Sequence, residues 1–296
     1  MSSPDGDEQG SLYDTLVLRP RVMLDVRHVD CRLPDSTPSI LRAAAAGDLP
    51  ALQALLAESP AAVHEAAGNG VTATHYAAAV GHVPSLLAVL AAGADPSTAD
   101  DSGCTPLIVA SLYGQVNALQ ALVQAGVSLE AVTPLNDATS TKACLTALQW
   151  AALAGQEGSL RALLAAGASL EPSRAGPEFS PALHLAAMQG HEACLHILLE
   201  AGAPLEGLDS AGETALVAAC RRGRDACLRA LLSAGANVDA AGSKGCALLV
   251  ASNAGHVKCA IALQQAGVSQ LLPNRALAGT IRALRTAGVL STAKQG

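Results

Sequence analysis

Along most of the chain, apolar residues come in pairs of short blocks. Each block is closed by a glycine or small residue, and each pair is followed by a polar, turn-forming stretch. Ser180–Ala203 shows the unit plainly: SPALHLAAMQ, then Gly190-His191, then EACLHILLEAGA. Apolar positions three and four apart in each block predict two amphipathic helices joined by a tight turn. Helices of roughly eight to ten residues are marginal alone in water. Such a pair needs neighbours of the same build against which to bury its apolar face.

The neighbours are present. The glycine closing the first block recurs at Gly47, Gly81, Gly114, Gly155, Gly190, Gly223 and Gly255, at intervals of 34, 33, 41, 35, 33 and 32 residues. The position closing the second block recurs in step at Ser59, Gly93, Gly126, Gly167, Gly202, Gly235 and Gly267. Two columns with the same intervals establish a repeat rather than an alanine-rich coincidence. Paired alanines allow close helix approach, and leucine pairs such as Leu55-Leu56, Leu163-Leu164, Leu198-Leu199 and Leu231-Leu232 fill the space between layers. Asp100–Gly103 and Asp209–Gly212 carry the turn chemistry for the connections.

The repeated segments Thr72-Ala-Thr-His-Tyr-Ala-Ala78, Thr105-Pro-Leu-Ile-Val-Ala-Ser111, Thr146-Ala-Leu-Gln-Trp-Ala-Ala152, Pro181-Ala-Leu-His-Leu-Ala-Ala187 and Thr214-Ala-Leu-Val-Ala-Ala-Cys220 resemble the ankyrin repeat family. Segments from Pro38 and Cys246 are weaker copies. The resemblance implies an all-α ankyrin solenoid of about seven helix-turn-helix repeats joined by short β-hairpin fingers. The repeats run 37–70, 71–103, 104–144, 145–179, 180–212, 213–244 and 245–269. An N-terminal arm (1–36, its first ten residues disordered) and a degenerate C-terminal helical cap and tail (270–296) flank them. Two departures stand out. The family histidine, whose ring bonds between loops, persists as His75 and His184, while Leu41, Ile108, Gln149, Val217 and Leu249 replace it elsewhere. The hairpin Val132–Cys144 is longer than its counterparts.

Composition agrees with thin stacked layers. Half of the residues are hydrophobic but only 2% are aromatic, too few large rings to fill one globular core. No apolar stretch reaches the ~20 residues of a membrane span, and the acidic start MSSPDGDEQG has no signal-peptide character. A cytoplasmic or nuclear chain with reduced cysteines is expected. The net charge of −7 is unevenly spread: residues 43–141 hold eight acids and no Lys or Arg, whereas 219–296 hold ten bases and two acids. The basic end lacks aromatic residues for stacking, so no specific nucleic-acid reading is expected.

No nucleophile–base–orienter set, phosphate loop or carboxylate pair is visible, so a non-catalytic chain without cofactor or metal is expected. His191-x-x-Cys194-x-His196, beside His184, has some metal character. On the family pattern, however, these side chains diverge. Cys220 and Cys227 fall at buried positions; Cys104, Cys144 and Cys246, near hairpins, are expected to be more exposed. In ankyrin repeats the residues before the first-helix glycine face the concave groove. The resemblance thereby assigns a partner-binding groove to Val80, Leu112, Tyr113, Leu153, Met188, Gln189, Arg221 and Arg222, an apolar run bounded by an arginine pair. A second column, Glu130, Glu171, Glu206 and Asp239, forms an acidic finger edge suited to a basic partner segment, with the basic C-terminal end suited to an acidic one. The expected function is a protein–protein interaction scaffold or adaptor. Alternatives are a substrate-recruiting subunit of a ubiquitin ligase, although the ending GVLSTAKQG shows no SOCS box, or an inhibitor masking a kinase or transcription-factor surface.

Overall fold

The computed structural model describes Leu33 and residues 37–134, 144–171, 180–242 and 245–267. Among them are fourteen α-helices in seven consecutive pairs. They fall in two compact units, Met1–Cys144 and Leu145–Gly296. In the first unit the pairs are Ser39–Ala46 (α1) with Leu49–Glu58 (α2), Ala73–Val80 (α3) with Val83–Ala91 (α4), and Pro106–Leu112 (α5) with Val116–Gln124 (α6). In the second they are Ala147–Ala154 (α7) with Glu157–Ala165 (α8), Ala182–Gln189 (α9) with Glu192–Glu200 (α10), Ala215–Arg221 (α11) with Asp225–Ser233 (α12), and Ala247–Asn253 (α13) with Val257–Gln265 (α14). The N-terminal arm other than Leu33, most of the long hairpin and the C-terminal cap lie outside the described residues.

Within each unit, first helices pack on first helices and second helices on second helices: α1, α3 and α5 form one row and α2, α4 and α6 another, with corresponding rows in the second unit. The two kinds of helix use their sequences differently. First helices are buried almost all round; Ala73–Ala79 of α3 and Ala147–Leu153 of α7 are buried without interruption. Small residues make that possible, because paired alanines let backbones approach. Second helices bury one stripe, anchored by a leucine column without solvent contact: Leu52, Leu86, Leu119 in the first unit and Leu160, Leu195, Leu228 in the second. Leu33 packs against the cluster formed by Ile40, Leu41, Leu52 and Val63.

The connections combine tight turns with short paired strands. Asp100 Oδ1 accepts N–H bonds from Ser102 (2.9 Å) and Cys104 (2.8 Å). Asp209 Oδ1 repeats this with Ala211 and Glu213, both at 2.9 Å. A short antiparallel pair joins Ala241–Gly242 to Gly245–Cys246, with Ala241 opposite Cys246. The expected hairpin fingers are thus aspartate-held turns in two connections and a short strand pair in another.

The glycine column has two jobs. Gly155 adopts φ +71°, a left-handed conformation that ends α7. It also lies beneath a side chain of the following layer: a Cβ there would come within 2.6 Å of His191 Nδ1. Gly190 and Gly223 sit in the same way under Arg224 and His256. Gly155→Ala therefore meets both backbone strain and a clash. It should destabilise the second unit by about 2 kcal/mol, whereas Gly167→Ala, at φ +90° with open space around it, should cost only the backbone part. Chemical denaturation of the two variants measures the difference.

Candidate functional site

Three sets of side chains bear on the positions singled out in the sequence: those at the ends of the first helices, those on the turns, and the polar groups beneath that hold both in place.

The underlying polar groups form two series. In the first, a side chain just after the helix-ending glycine reaches back to the previous layer. Gln115 Nε2 donates to the Ala79 carbonyl (3.1 Å), His191 Nε2 to Leu153 (3.1 Å), Arg224 Nε to Met188 (3.1 Å) and His256 Nε2 to Arg221 (3.0 Å). Each accepting carbonyl lies two residues before a glycine, among the helix-terminal carbonyls that have no partner inside the helix. His191 is thereby a layer-to-layer tie. Cys194 is buried on α10 and His196 is exposed near Glu192. Among the described residues, no group of three or more His, Cys, Asp or Glu is placed to hold a metal ion.

The second series links first-helix starts to the next turn. His75 Nε2 donates to the Cys104 carbonyl (2.9 Å), which leaves Nδ1 to accept from Thr72 N–H (3.2 Å) and the Thr72 hydroxyl (2.8 Å). Gln149 does the same work without a ring: its Nε2 donates to Ser180 O (2.8 Å) while Oε1 accepts from Thr146 N–H (2.8 Å). In the repeat pattern Gln149 stands where the family has a histidine. The signal that reveals its role is Thr146-x-x-Gln149, a capping box. His184 completes the series with Nε2 donating to Glu213 O at 2.8 Å. Pro181 replaces the threonine there and offers neither N–H nor hydroxyl, so His184 Nδ1 is buried without a hydrogen-bond partner.

Around His184 lie further ionisable groups. Glu213, 1% exposed, pairs with Arg221, and a Cβ at Gly242 would strike the Glu213 side chain. The carboxylate is thus roofed by the next turn. Burial pushes Asp209 above the usual carboxylate range, countered by His184 and by Arg221, and burial pulls Arg221 down. Burial also drives the His184 imidazole down to about 4, with Asp209 opposing it.

The predicted groove residues divide. In the first unit, Val80 at the end of α3 is 37% exposed, and Leu112 and Tyr113 at the end of α5 are half-buried. In the second unit, Leu153 and Met188 are 6% and 7% exposed, so they belong to the packed core rather than to an exposed apolar run. They continue the unbroken burial of their first helices, Ala147–Leu153 and Ala182–Met188. Gln189 and Arg222 remain half-exposed. Arg221 is committed to Glu213. On the turns, Glu130, Glu171 and Glu206 are exposed and Asp239 half-buried. Glu206 also has a structural role, accepting the Asn237 N–H at 2.7 Å. The expectation that Cys104 and Cys246 are exposed is corrected: they are 1% and 4% exposed. Each lies at the start of a first helix, where the turn folds over it; the side chain of Cys144 lies outside the described residues. Burial raises the Cys194, Cys227 and Cys259 thiols to about 11, which leaves them protonated and unreactive.

A sequence profile of ankyrin repeats (3 copies) matches four overlapping stretches, residues 40–133, 87–174, 148–242 and 183–274. Over 102 residues the chain is 33% identical to the E3 ubiquitin-protein ligase XB3 of Oryza sativa subsp. japonica, a stretch covering 34% of this chain and 23% of that protein. The chain thus spans under a quarter of that relative. The human ASB11 ankyrin repeat domain superposes with a TM-score of 0.59 at 26% identity, covering 68% of this chain and 86% of that one. No helix among the described residues is long and apolar enough to cross a membrane.

His184 sets a pH dependence. An imidazole of ordinary pKa 6.5 when unfolded and about 4 when folded binds more protons in the unfolded state between those values. Stability of the second unit is therefore full above pH 6.5 and falls as the pH drops toward 4, by about 3 kcal/mol. His184→Gln, the side chain the fourth repeat uses at this place, should remove most of that slope. Urea unfolding of both proteins between pH 7 and pH 4 measures it.

Proposed function

The chain belongs to the ankyrin repeat family, and on that premise we propose that it is a non-catalytic scaffold or adaptor that holds a protein partner through the ends of its first helices and its turns. Ankyrin repeats are protein–protein interaction modules; the finer reading concerns which side chains of this chain do the gripping. One observation carries it. Positions beneath the surface repeat from layer to layer, with a pair of small residues in each first helix and a leucine at the same place in six of the seven second helices, while the positions before each glycine do not. Those that reach the surface are Val80, Leu112 and Tyr113 in the first unit, then Ala154, Gln189 and Arg222 in the second. A repeated interior with a varied rim is the arrangement of a fixed frame with partner-specific contacts.

Within that rim, Val80, Leu112 and Tyr113 offer an apolar contact with an aromatic anchor, the type of residue that dominates binding energy. Gln189 and Arg222 offer polar contacts on the second unit, and Glu130, Glu171, Glu206 and Asp239 an acidic edge for a basic segment. Recruitment to a ubiquitin ligase is a second reading, favoured by the similarity to a rice E3 ligase over 102 residues.

Affinity purification with the wild type, Tyr113→Ala, and Glu171→Lys/Glu206→Lys baits tests both. Loss of the same partners with Tyr113→Ala, and weaker salt-dependent recovery with the charge reversal, is expected. Unchanged recovery with both baits would refute this assignment of contacts. Ligase subunits among the recovered proteins would favour the second reading.

A further inference from the structure

We propose that Asn69-Gly70, in the turn that leads into α3, is a site of self-modification. There the backbone nitrogen of Gly70 displaces ammonia from the Asn69 amide, and water completes the conversion to aspartate and isoaspartate. This chemistry is independent of the partner contacts proposed above.

The chain supplies the reacting pair once. Ring closure requires the nitrogen of the following residue to approach the asparagine side chain, and a side chain on that residue hinders the approach. Asn69 is followed by glycine, whereas every other asparagine is followed by a residue that carries a side chain. The fold also fixes the glycine in place. Gly70 lies at φ +76°, a conformation that other residues adopt with strain. A Cβ there would come within 2.7 Å of Asp101 Oδ1 and 2.9 Å of the Asp101 backbone nitrogen. The residue that makes Asn69 reactive is thus the one the neighbouring turn requires.

The turn around this pair lacks a lock that its counterparts carry. Three turns share one backbone pattern. Gly70 N–H donates to the Ala67 carbonyl at 2.9 Å, Gly103 to Asp100 at 2.8 Å and Gly212 to Asp209 at 3.0 Å. In the last two, the aspartate side chain accepts two further N–H groups of its own turn, those of Ser102 and Cys104 or of Ala211 and Glu213. Ala67 has no carboxylate with which to do so. Asn69, exposed to solvent, stands where the locked turns have Ser102 and Ala211. Freeing the attacking nitrogen therefore means breaking the Gly70–Ala67 bond in an unlocked surface turn, a local opening of the kind folded proteins make readily.

The reaction needs only water. Hydroxide takes the Gly70 N–H proton, the nitrogen bonds to Asn69 Cγ, and the bond from Cγ to the amide nitrogen breaks. Ammonia leaves with a proton from water, which regenerates the hydroxide. Water then opens the cyclic imide. Opening at Cγ gives aspartate; opening at the backbone carbonyl gives isoaspartate, in which the chain runs through the side chain and the old carbonyl becomes a carboxylate. That carbonyl accepts the Asp101 N–H at 3.1 Å, so the second route removes the tie between this turn and the next. Either product also sets a new negative charge beside Asp100 and Asp101. Thr72 follows closely and holds His75 through its N–H and hydroxyl, so the disturbance falls on the joint between the first two layers.

Ageing of the full chain at mildly alkaline pH tests this, read by peptide mapping and by enzymatic methylation of isoaspartate. Asn69→Ser and Ala67→Asp are compared with the wild type, with circular dichroism checking that each is folded at the start. Aspartate and isoaspartate should accumulate at position 69 of the wild type ahead of every other asparagine. Ala67→Asp, which restores the lock, should slow the conversion roughly fivefold. The thermal midpoint of the aged wild type should fall, while Asn69→Ser aged alongside keeps its own. An Asn69 that stays intact in the folded chain but converts in urea overturns the proposal, as does conversion spread evenly over the asparagines. A folded Ala67→Asp that converts as fast as the wild type overturns it too.

Discussion

The constraint on which everything else depends is the end of the first helix. A helix of seven or eight residues leaves half of its carbonyls without an internal partner, and in a stack those carbonyls come to lie against the next layer. The chain answers with a glycine in the left-handed region, which turns it sharply, and a long polar side chain from the following layer, which lies across that glycine. The side chain donates to the carbonyl two residues before it. His191 on Leu153, Arg224 on Met188 and His256 on Arg221 are three successive instances in the second unit. One contact thereby ends a helix, satisfies a carbonyl and fixes the spacing of two layers. Stability in such an array passes from neighbour to neighbour rather than collecting in one core.

This account explains which parts of the molecule were legible in the sequence. Glycine at fixed intervals, alanine pairs and leucine columns report backbone requirements that tolerate few residue types, and the helices fell where those columns placed them. The polar ties were not legible because several side chains meet the same need. Gln, His and Arg all reach a carbonyl across the glycine, so Gln115, His191, Arg224 and His256 do not look alike in a sequence. Gln149 stood apart as a lost histidine although its amide supplies the same donor and acceptor as the ring of His75. Exposure was harder still. Leu153 and Met188 occupy a column that faces the groove in the family pattern, yet they are buried with the rest of their first helices. That depends on the neighbour rather than on the residue itself, as with Cys104 and Cys246 beneath their turns.

Where the repeat departs from its own rule, the consequence is chemical. At Pro181 the chain gains a rigid first turn and loses the hydroxyl and N–H that hold the corresponding histidine in the second repeat. His184 keeps its bond to the Glu213 carbonyl, but its other nitrogen is buried without a donor. Nearby, Glu213 is buried with Arg221 as its counterion. Breaking such a pair costs more than it contributes when whole, because the survivor is left charged and desolvated. Arg221 is therefore fixed inward, and the recognition role proposed for the arginine pair falls to Arg222. A polar cluster that is nearly but not wholly satisfied makes this layer sensitive to acid.

The uneven charge of the chain has a similarly local meaning. At physiological ionic strength, exposed charges are screened beyond about 8 Å, less than the span of a few layers. The acids of the first unit and the bases toward the C-terminal end cannot act as one dipole on a distant partner. Each layer presents its own short-range field, and a partner reads them one contact at a time. The same physics makes substitution of one surface charge a change to one layer, with the rest of the array left as it was.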